Sequence, residues 1–231
     1  MKIRKFFRNI PIVYIFYRKI FLPFFHKNDL NILLLRKFTF NHSLDIGANV
    51  GTYAIELQKN SKTLYCFEPL TRNINFLKLL LNKNAKYFKF ALGNNNENNF
   101  IKIPLNESDE LEYALSSVKN NFSNYIKKKI KIKKLDKLYY KSFIINNLDF
   151  VKIDVEGFEF QVLQGMRKIL KKTSPIFLIE IEERHNKNFM QVINFLSSRG
   201  YKTYVTKNGA TLEYLNNKLF KKIIKKKIFN N

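Results

Sequence analysis

A doubly wound α/β fold, built on a mostly parallel sheet and closed by a C-terminal antiparallel hairpin, is what this sequence predicts. Three observations carry that expectation. From Ser43 onward, short apolar or β-branched runs alternate with segments whose apolar residues recur at helical spacing. A chain with only seven glycines in 231 residues places Gly47 and Gly51 close together in SLDIGANVGTY, directly behind an aspartate. Acids and glycines recur where the apolar runs end, which is the rim where ligands bind in open α/β sheets.

The elements follow in order. Ser43–Ile46 (SLDI) is a short apolar strand ending at a glycine, and Thr52–Lys59 follows it as a helix. Thr63–Phe67 (TLYCF) is β-branched and aromatic, hence a second strand. In Thr71–Lys83 the residues Ile74, Leu77 and Leu81 share one helical face. Lys86–Leu92 (KYFKFAL) alternates as a third strand and ends at Gly93. Asn94–Leu135 is irregular: GNNNENN reads as a turn, with added strands at Phe100–Ile103 and Ile130–Leu135. The period of two in KKKIKIKK places its lysines on one solvated face. Asp149–Asp154 (DFVKID) is the fourth main strand, followed by a helix over Phe158–Leu170 with Val162, Met166 and Ile169 on its stripe. Pro175 cannot continue that helix, and Pro175–Ile181 (PIFLIEI) reads as a buried fifth strand. Phe189, Val192, Ile193 and Leu196 mark a last helix, ended by Gly200. Tyr201–Thr206 and Ala210–Leu215, joined across Asn208-Gly209, form the closing hairpin.

The length fits one domain with a sizeable core. Three parts are expected: a basic, aromatic segment over residues 1–42, the catalytic domain over 43–215 and a basic tail over 216–231. The formal charge of +24 suggests nucleic acid or an anionic membrane surface as a partner; a lysine-rich solvated surface accounts for the bulk of it. Within residues 1–42, MKIRKFFRNIPIVYIFYRKIFLPFF lacks a cleavage site, and its apolar run is broken by Pro11, Arg18 and Lys19. No segment is long enough to span a bilayer, so the expectation is a cytoplasmic protein, peripheral at the membrane if the basic ends bind there. The alternative for residues 1–42 is a cap packed on the domain. A lone Cys66 inside an apolar strand argues against a disulfide framework, and three dispersed histidines against a metal site.

Asp45 and Gly47 close the first strand, Glu68 the second, Asp154, Glu156 and Gly157 the fourth, and Glu180 the fifth. Carboxylates gathered on one rim are costly unless donors or a cation satisfy them. Asn49 stands where a dinucleotide fingerprint has its second glycine, which weakens a pyrophosphate reading. Glu68 sits where an acid receives two ribose hydroxyls. A ribose without a pyrophosphate points to S-adenosyl-L-methionine. Glu159 and Glu182 read as solvated acids, and His185 as a loop histidine or a proton acceptor. Glu180, in an apolar strand, requires a partner if it is buried.

LDIGANVGTY at Leu44–Tyr53, FEPLTRNINFLKLLLNKN at Phe67–Asn84 and KIDVEGFEFQVLQG at Lys152–Gly165 resemble the FkbM-type methyltransferases, with ALG and PIFLIEIE in register between and after them. The resemblance implies a class I, Rossmann-like methyltransferase that binds S-adenosyl-L-methionine and methylates a hydroxyl, usually of a sugar in a glycan, glycolipid or related metabolite. By position it implies Asp45, Gly47, Asn49 and Gly51 along the methionine part of the cofactor, Glu68 on the ribose, Pro69 at the adenine edge and Leu92 against the base. Asp154, with Glu156 and Glu180 assisting, is the expected proton acceptor, and no metal is expected. Two alternatives stay open. One is a basic protein that binds nucleic acid or membrane on the same scaffold. The other is an RNA ribose methyltransferase using Lys152 and Asp154.

Overall fold

The computed structural model describes residues 35–119, 122–139, 147–181, 189–207 and 211–215. The segment before residue 35, Glu182, His185, the Asn208-Gly209 turn and the basic tail lie outside them. The central sheet contains β1 (Phe40–Ile46), β2 (Ser61–Phe67), β3 (Ala85–Phe88), β7 (Leu148–Ile153) and β8 (Ile176–Ile179). Its order is β3-β2-β1-β7-β8 and every pairing is parallel. The chain runs outward from β1 in one direction and returns to the far side of β1 with β7. That reversal opens a crevice beyond the carboxyl ends of β1 and β7.

Alternation along the strands gives each face its own core. Leu64, Cys66 and Phe150 pack with Ala54, Ile55 and Leu57 of α1 (Ala54–Asn60) and Ile74, Leu77 and Leu80 of α2 (Thr71–Leu80). Leu44, Ile46, Val151 and Ile153 pack on the other face with Val162 and Leu163 of α4 (Glu159–Gln164) and Val192, Phe195 and Leu196 of α5 (Phe189–Ser197). Each such buried aliphatic side chain contributes roughly 1.5–3 kcal/mol of transfer free energy. β1 begins at Phe40, earlier than its apolar run suggests, and Leu35 already packs in the α1 core.

The expected third strand is two strands in different sheets. β3 stops at Phe88, whose carbonyl accepts the Phe90 N–H at 3.0 Å. β4 (Ala91–Leu92) then pairs with β6 (Tyr125–Lys133), and β6 pairs antiparallel with β5 (Glu97–Pro104). The alternation of KYFKFAL persists through the break, because Phe88 and Phe90 both pack on Phe67. Only the hydrogen-bonding partner changes. The polar GNNNENN is less of a turn than expected, since Glu97, Asn98 and Asn99 pair with Ile132, Lys131 and Ile130. Exposed strand positions tolerate polar side chains when the backbone is satisfied. Along β6 the exposed Lys129 and Lys131 alternate with the buried Ile130 and Ile132.

The helix expected over Phe158–Leu170 is α4, a turn and a 3₁₀ turn at Ile169–Lys171. Asp136, on the short helix α3 (Leu135–Tyr139), interrupts it by accepting the Lys168 and Ile169 N–H groups at 3.0 Å. β8 is an edge strand among the described residues, with Ile176 51% exposed, rather than the buried strand its composition suggests. β9 (Tyr204–Lys207) and β10 (Thr211–Tyr214) form the antiparallel hairpin, as a two-stranded sheet of their own.

Candidate functional site

The loop after β1 is held by backbone geometry. Gly47, Asn49 and Gly51 all have positive φ, at 77°, 46° and 86°, a region that glycine enters freely and asparagine tolerates. The Gly47 and Ala48 N–H groups both donate to the Phe67 carbonyl, which folds the loop over the end of β2. A Cβ on Gly47 would stand 1.8 Å from the Asp154 carbonyl oxygen, and one on Gly51 would stand 2.9 Å from Leu77 Cδ2. The two glycines are therefore required by protein packed against them.

Glu68 follows β2 and is 5% exposed. Its Oε2 accepts the Asn49 N–H at 3.0 Å and its Oε1 the Leu70 N–H at 2.9 Å. Asn73, reaching from α2, donates to Asn49 Oδ1 at 3.2 Å. Burial pushes the Glu68 carboxyl up to about 7, against the lowering effect of these donors. The Asn73 amide also acts on this carboxyl, and a carboxylate with about four acceptor sites keeps acceptor capacity beyond three donors.

Asp154 follows β7, and its Oδ2 accepts a hydrogen bond from Lys152 Nζ at 3.0 Å. Lys152 is 3% exposed and also lies 3.5 Å from Asp45 Oδ1. Burial alone would lower the ammonium's pKa, but Asp45 and Asp154 raise it above the ordinary lysine range. Glu156 adopts φ 51° and its carbonyl accepts Ser117 Oγ–H at 2.6 Å, which ties the inserted β5–β6 segment to this rim. Glu159 is 1% exposed rather than solvated, and accepts the Gly157 N–H at 2.8 Å.

Between these loops lies a cleft of ≈ 640 Å³, part of it open to solvent. Of the site residues named from the sequence, Gly47, Asn49, Glu68, Pro69, Leu92, Asp154 and Glu156 line it. Phe67, Leu70 and Phe158 supply apolar walls, and Ile101, Tyr113 and Val118 bring the insertion over one side. Asp45, Gly51 and Glu180 do not line it. Asp45 is fully buried behind it and Gly51 packs on α2. Glu180 is exposed, so burial gives no argument for it; it acts on Lys152 only through its charge. Sequence reasoning missed Asn73 and the insertion wall. It noticed Lys152, whose signal is a charge inside an apolar strand, only in connection with a ribose substrate. Among the described residues no group of three or more His, Cys, Asp or Glu side chains could hold a metal, and no helix is long and apolar enough to cross a membrane.

The model of the methyltransferase FkbM domain matches residues 45–203, more than half of the chain. The chain belongs to the FkbM methyltransferase family. Its cofactor is S-adenosyl-L-methionine. No curated protein matches the sequence. Among solved structures, a methyltransferase FkbM from Methylobacillus flagellatus KT is 15% identical with a TM-score of 0.50, over 76% of this chain and 42% of that one. The FkbM domain described here thus spans less than half of that protein, and the likeness is one of fold. An rRNA methylase from Streptococcus thermophilus is 12% identical with a TM-score of 0.45, covering 81% of this chain and 95% of that one. The N-methyltransferase NodS from Bradyrhizobium japonicum WM9, solved with S-adenosyl-L-homocysteine, is 12% identical with a TM-score of 0.43, covering 82% and 81%. The cleft fits an adenosine-bearing cofactor, because apolar walls surround a buried carboxylate that retains acceptor capacity.

Proposed function

We propose that this FkbM domain methylates a hydroxyl oxygen of a sugar, in a glycan, glycolipid or related metabolite. The observation that supports it best is one cleft bordered by two carboxylates of different character. Glu68 is buried and bound by backbone donors, whereas Asp154 stands at the rim, paired with Lys152. Glu68 takes the ribose hydroxyls, Asn49 and Gly47 run beside the methionine part, and Pro69 and Leu92 border the adenine. Asp45 and Gly51 support that loop from behind. The cofactor supplies an electrophilic methyl group on its sulfonium.

The protein's main task is then alignment of the acceptor oxygen, which can lower a barrier by roughly 7–11 kcal/mol. A hydroxyl is a poor nucleophile at neutral pH. Asp154 would accept its proton as the oxygen–carbon bond formed and the methyl–sulfur bond broke, leaving S-adenosyl-L-homocysteine; this proton transfer contributes roughly 10²–10⁴-fold. Glu156 assists from the same rim, and Glu180, outside the cleft, contributes through its charge on Lys152. The exposed Lys127, Lys128, Lys129 and Lys131 of β6 favour a second reading in which the acceptor hydroxyl belongs to a polyanion, such as a ribose of RNA. Incubation with methyl-labelled cofactor and cell fractions separates the two. Label in glycan or glycolipid supports the proposal, and label confined to RNA selects the ribose.

A further inference from the structure

Asp45 on β1 and Lys152 on β7 are register partners. Their neighbours Leu44, Ile46, Val151 and Ile153 belong to the α5-side core, so both side chains point to the α1 face. Asp45 is 0% exposed, and among the described residues no donor other than the Lys152 ammonium stands near its carboxylate. Lys152 Nζ, 3.5 Å from Asp45 Oδ1, extends past it towards the rim. There it donates to Asp154 Oδ2 at 3.0 Å and to the Gly47 carbonyl at 3.4 Å, with the Tyr53 ring centroid 5.0 Å away.

We propose that Asp45, Lys152 and Asp154 form a buried strut that locks the glycine loop after β1 to the rim after β7, with Lys152 as its positioning residue. An ammonium has three donor directions, and three oxygens, one from β1 and one from each of the two loops, surround this one. A lysine paired only with a rim carboxylate would extend its head into water. Asp45 beneath it holds the charge inside. Asp45 in turn has no other donor, and an uncompensated buried carboxylate is strongly unfavourable. The strut stands where the loops already touch, because the Asp154 N–H donates to the Ile46 carbonyl at 3.0 Å and Gly47 leaves no room for a Cβ beside the Asp154 carbonyl. The strut rests on the proposed function only for Asp154's role towards the acceptor.

The test uses full-length Asp45→Asn, Lys152→Met and the double variant, each melted and followed by amide hydrogen exchange with and without S-adenosyl-L-homocysteine. Lys152→Met should lower the melting temperature most, and the double variant should regain about half of that loss or more, because the charges are removed in balance. Exchange at Gly47–Gly51 and Asp154–Gly157 should stay at least about tenfold faster than wild type in the double variant, with the other β1 and β2 amides unchanged. A role in packing alone would recover along with the melting temperature. A double variant no more stable than Lys152→Met, or too unstable to isolate, overturns the strut, as does wild-type exchange in both loops. If the wild type binds no S-adenosyl-L-homocysteine, the proposed function fails, while melting and exchange of the free protein still decide the strut.

Discussion

Glu68 holds its proton to about 7 in the folded protein, against 4.5 for an ordinary glutamate. Between those values the native state binds more protons than the unfolded one, so stability falls as pH rises through the window and levels off above it. The loss attributable to this group is about 3 kcal/mol. Ribose hydroxyls donating to the carboxylate favour its ionised form. Binding of S-adenosyl-L-homocysteine should therefore release a proton below pH 7, and affinity should rise with pH up to that point. Calorimetry in two buffers of different ionisation heat measures both effects. In Glu68→Gln the pH dependence should disappear, and in Glu68→Ala affinity should drop steeply; affinity equal to wild type would remove Glu68 from the ribose. For Asp154→Asn the expected outcome is turnover lower by about a hundredfold or more, with S-adenosyl-L-homocysteine affinity nearly unchanged. Turnover within a few-fold of wild type would assign the base elsewhere.

At the scale of elements, three glycines separate backbone conformation from crowding. Gly200 has φ 83° and open space where a Cβ would go, so Gly200→Ala should cost only about 1–2 kcal/mol. Gly165 has an ordinary φ of −76°, but its Cβ would lie 2.0 Å from the Gly93 carbonyl oxygen. Gly47 combines both problems. Urea melts should rank Gly47→Ala and Gly165→Ala well below Gly200→Ala; comparable midpoints would show that the loops yield. These positions also mark what was legible. The DIGANVG turn and the acids at the ends of β1, β2 and β7 could be read because local conformation and rim position demand particular residue types. The transfer from β3 to β4 could not, since pairing partners are chosen far along the chain. Pro175–Ile181 read as buried because an apolar run does not reveal that its strand lies at an edge. Lys152 could be named only for a ribose substrate, since its pairing with Asp45 joins strands far apart in the chain, and Glu159 read as solvated because its bond to the Gly157 N–H depends on the folded turn.

For the molecule as a whole, the excess of +24 charges bears on location. We propose that the basic, aromatic stretch before residue 26 and the lysine-rich tail hold the protein at anionic membranes, each charge near the surface contributing about 1 kcal/mol. Replacing the lysines and arginines of both segments with glutamine should abolish flotation with anionic vesicles. Undiminished flotation would remove these segments from the account. Cys66 is the chain's single cysteine, fully enclosed on strand β2 of the central sheet, and burial followed by the Asp45 charge pushes its thiol well above the ordinary range. A thiol is reactive only as an exposed thiolate. The protein therefore carries its own unfolding clock: a thiol reagent in native buffer reads the fraction of molecules whose central sheet has opened. The logarithm of that labelling rate should climb with urea at the slope of the equilibrium melt, and saturating S-adenosyl-L-homocysteine should slow it in proportion to the stability it adds. A rate indifferent to urea would instead reveal a local path to the sheet's interior.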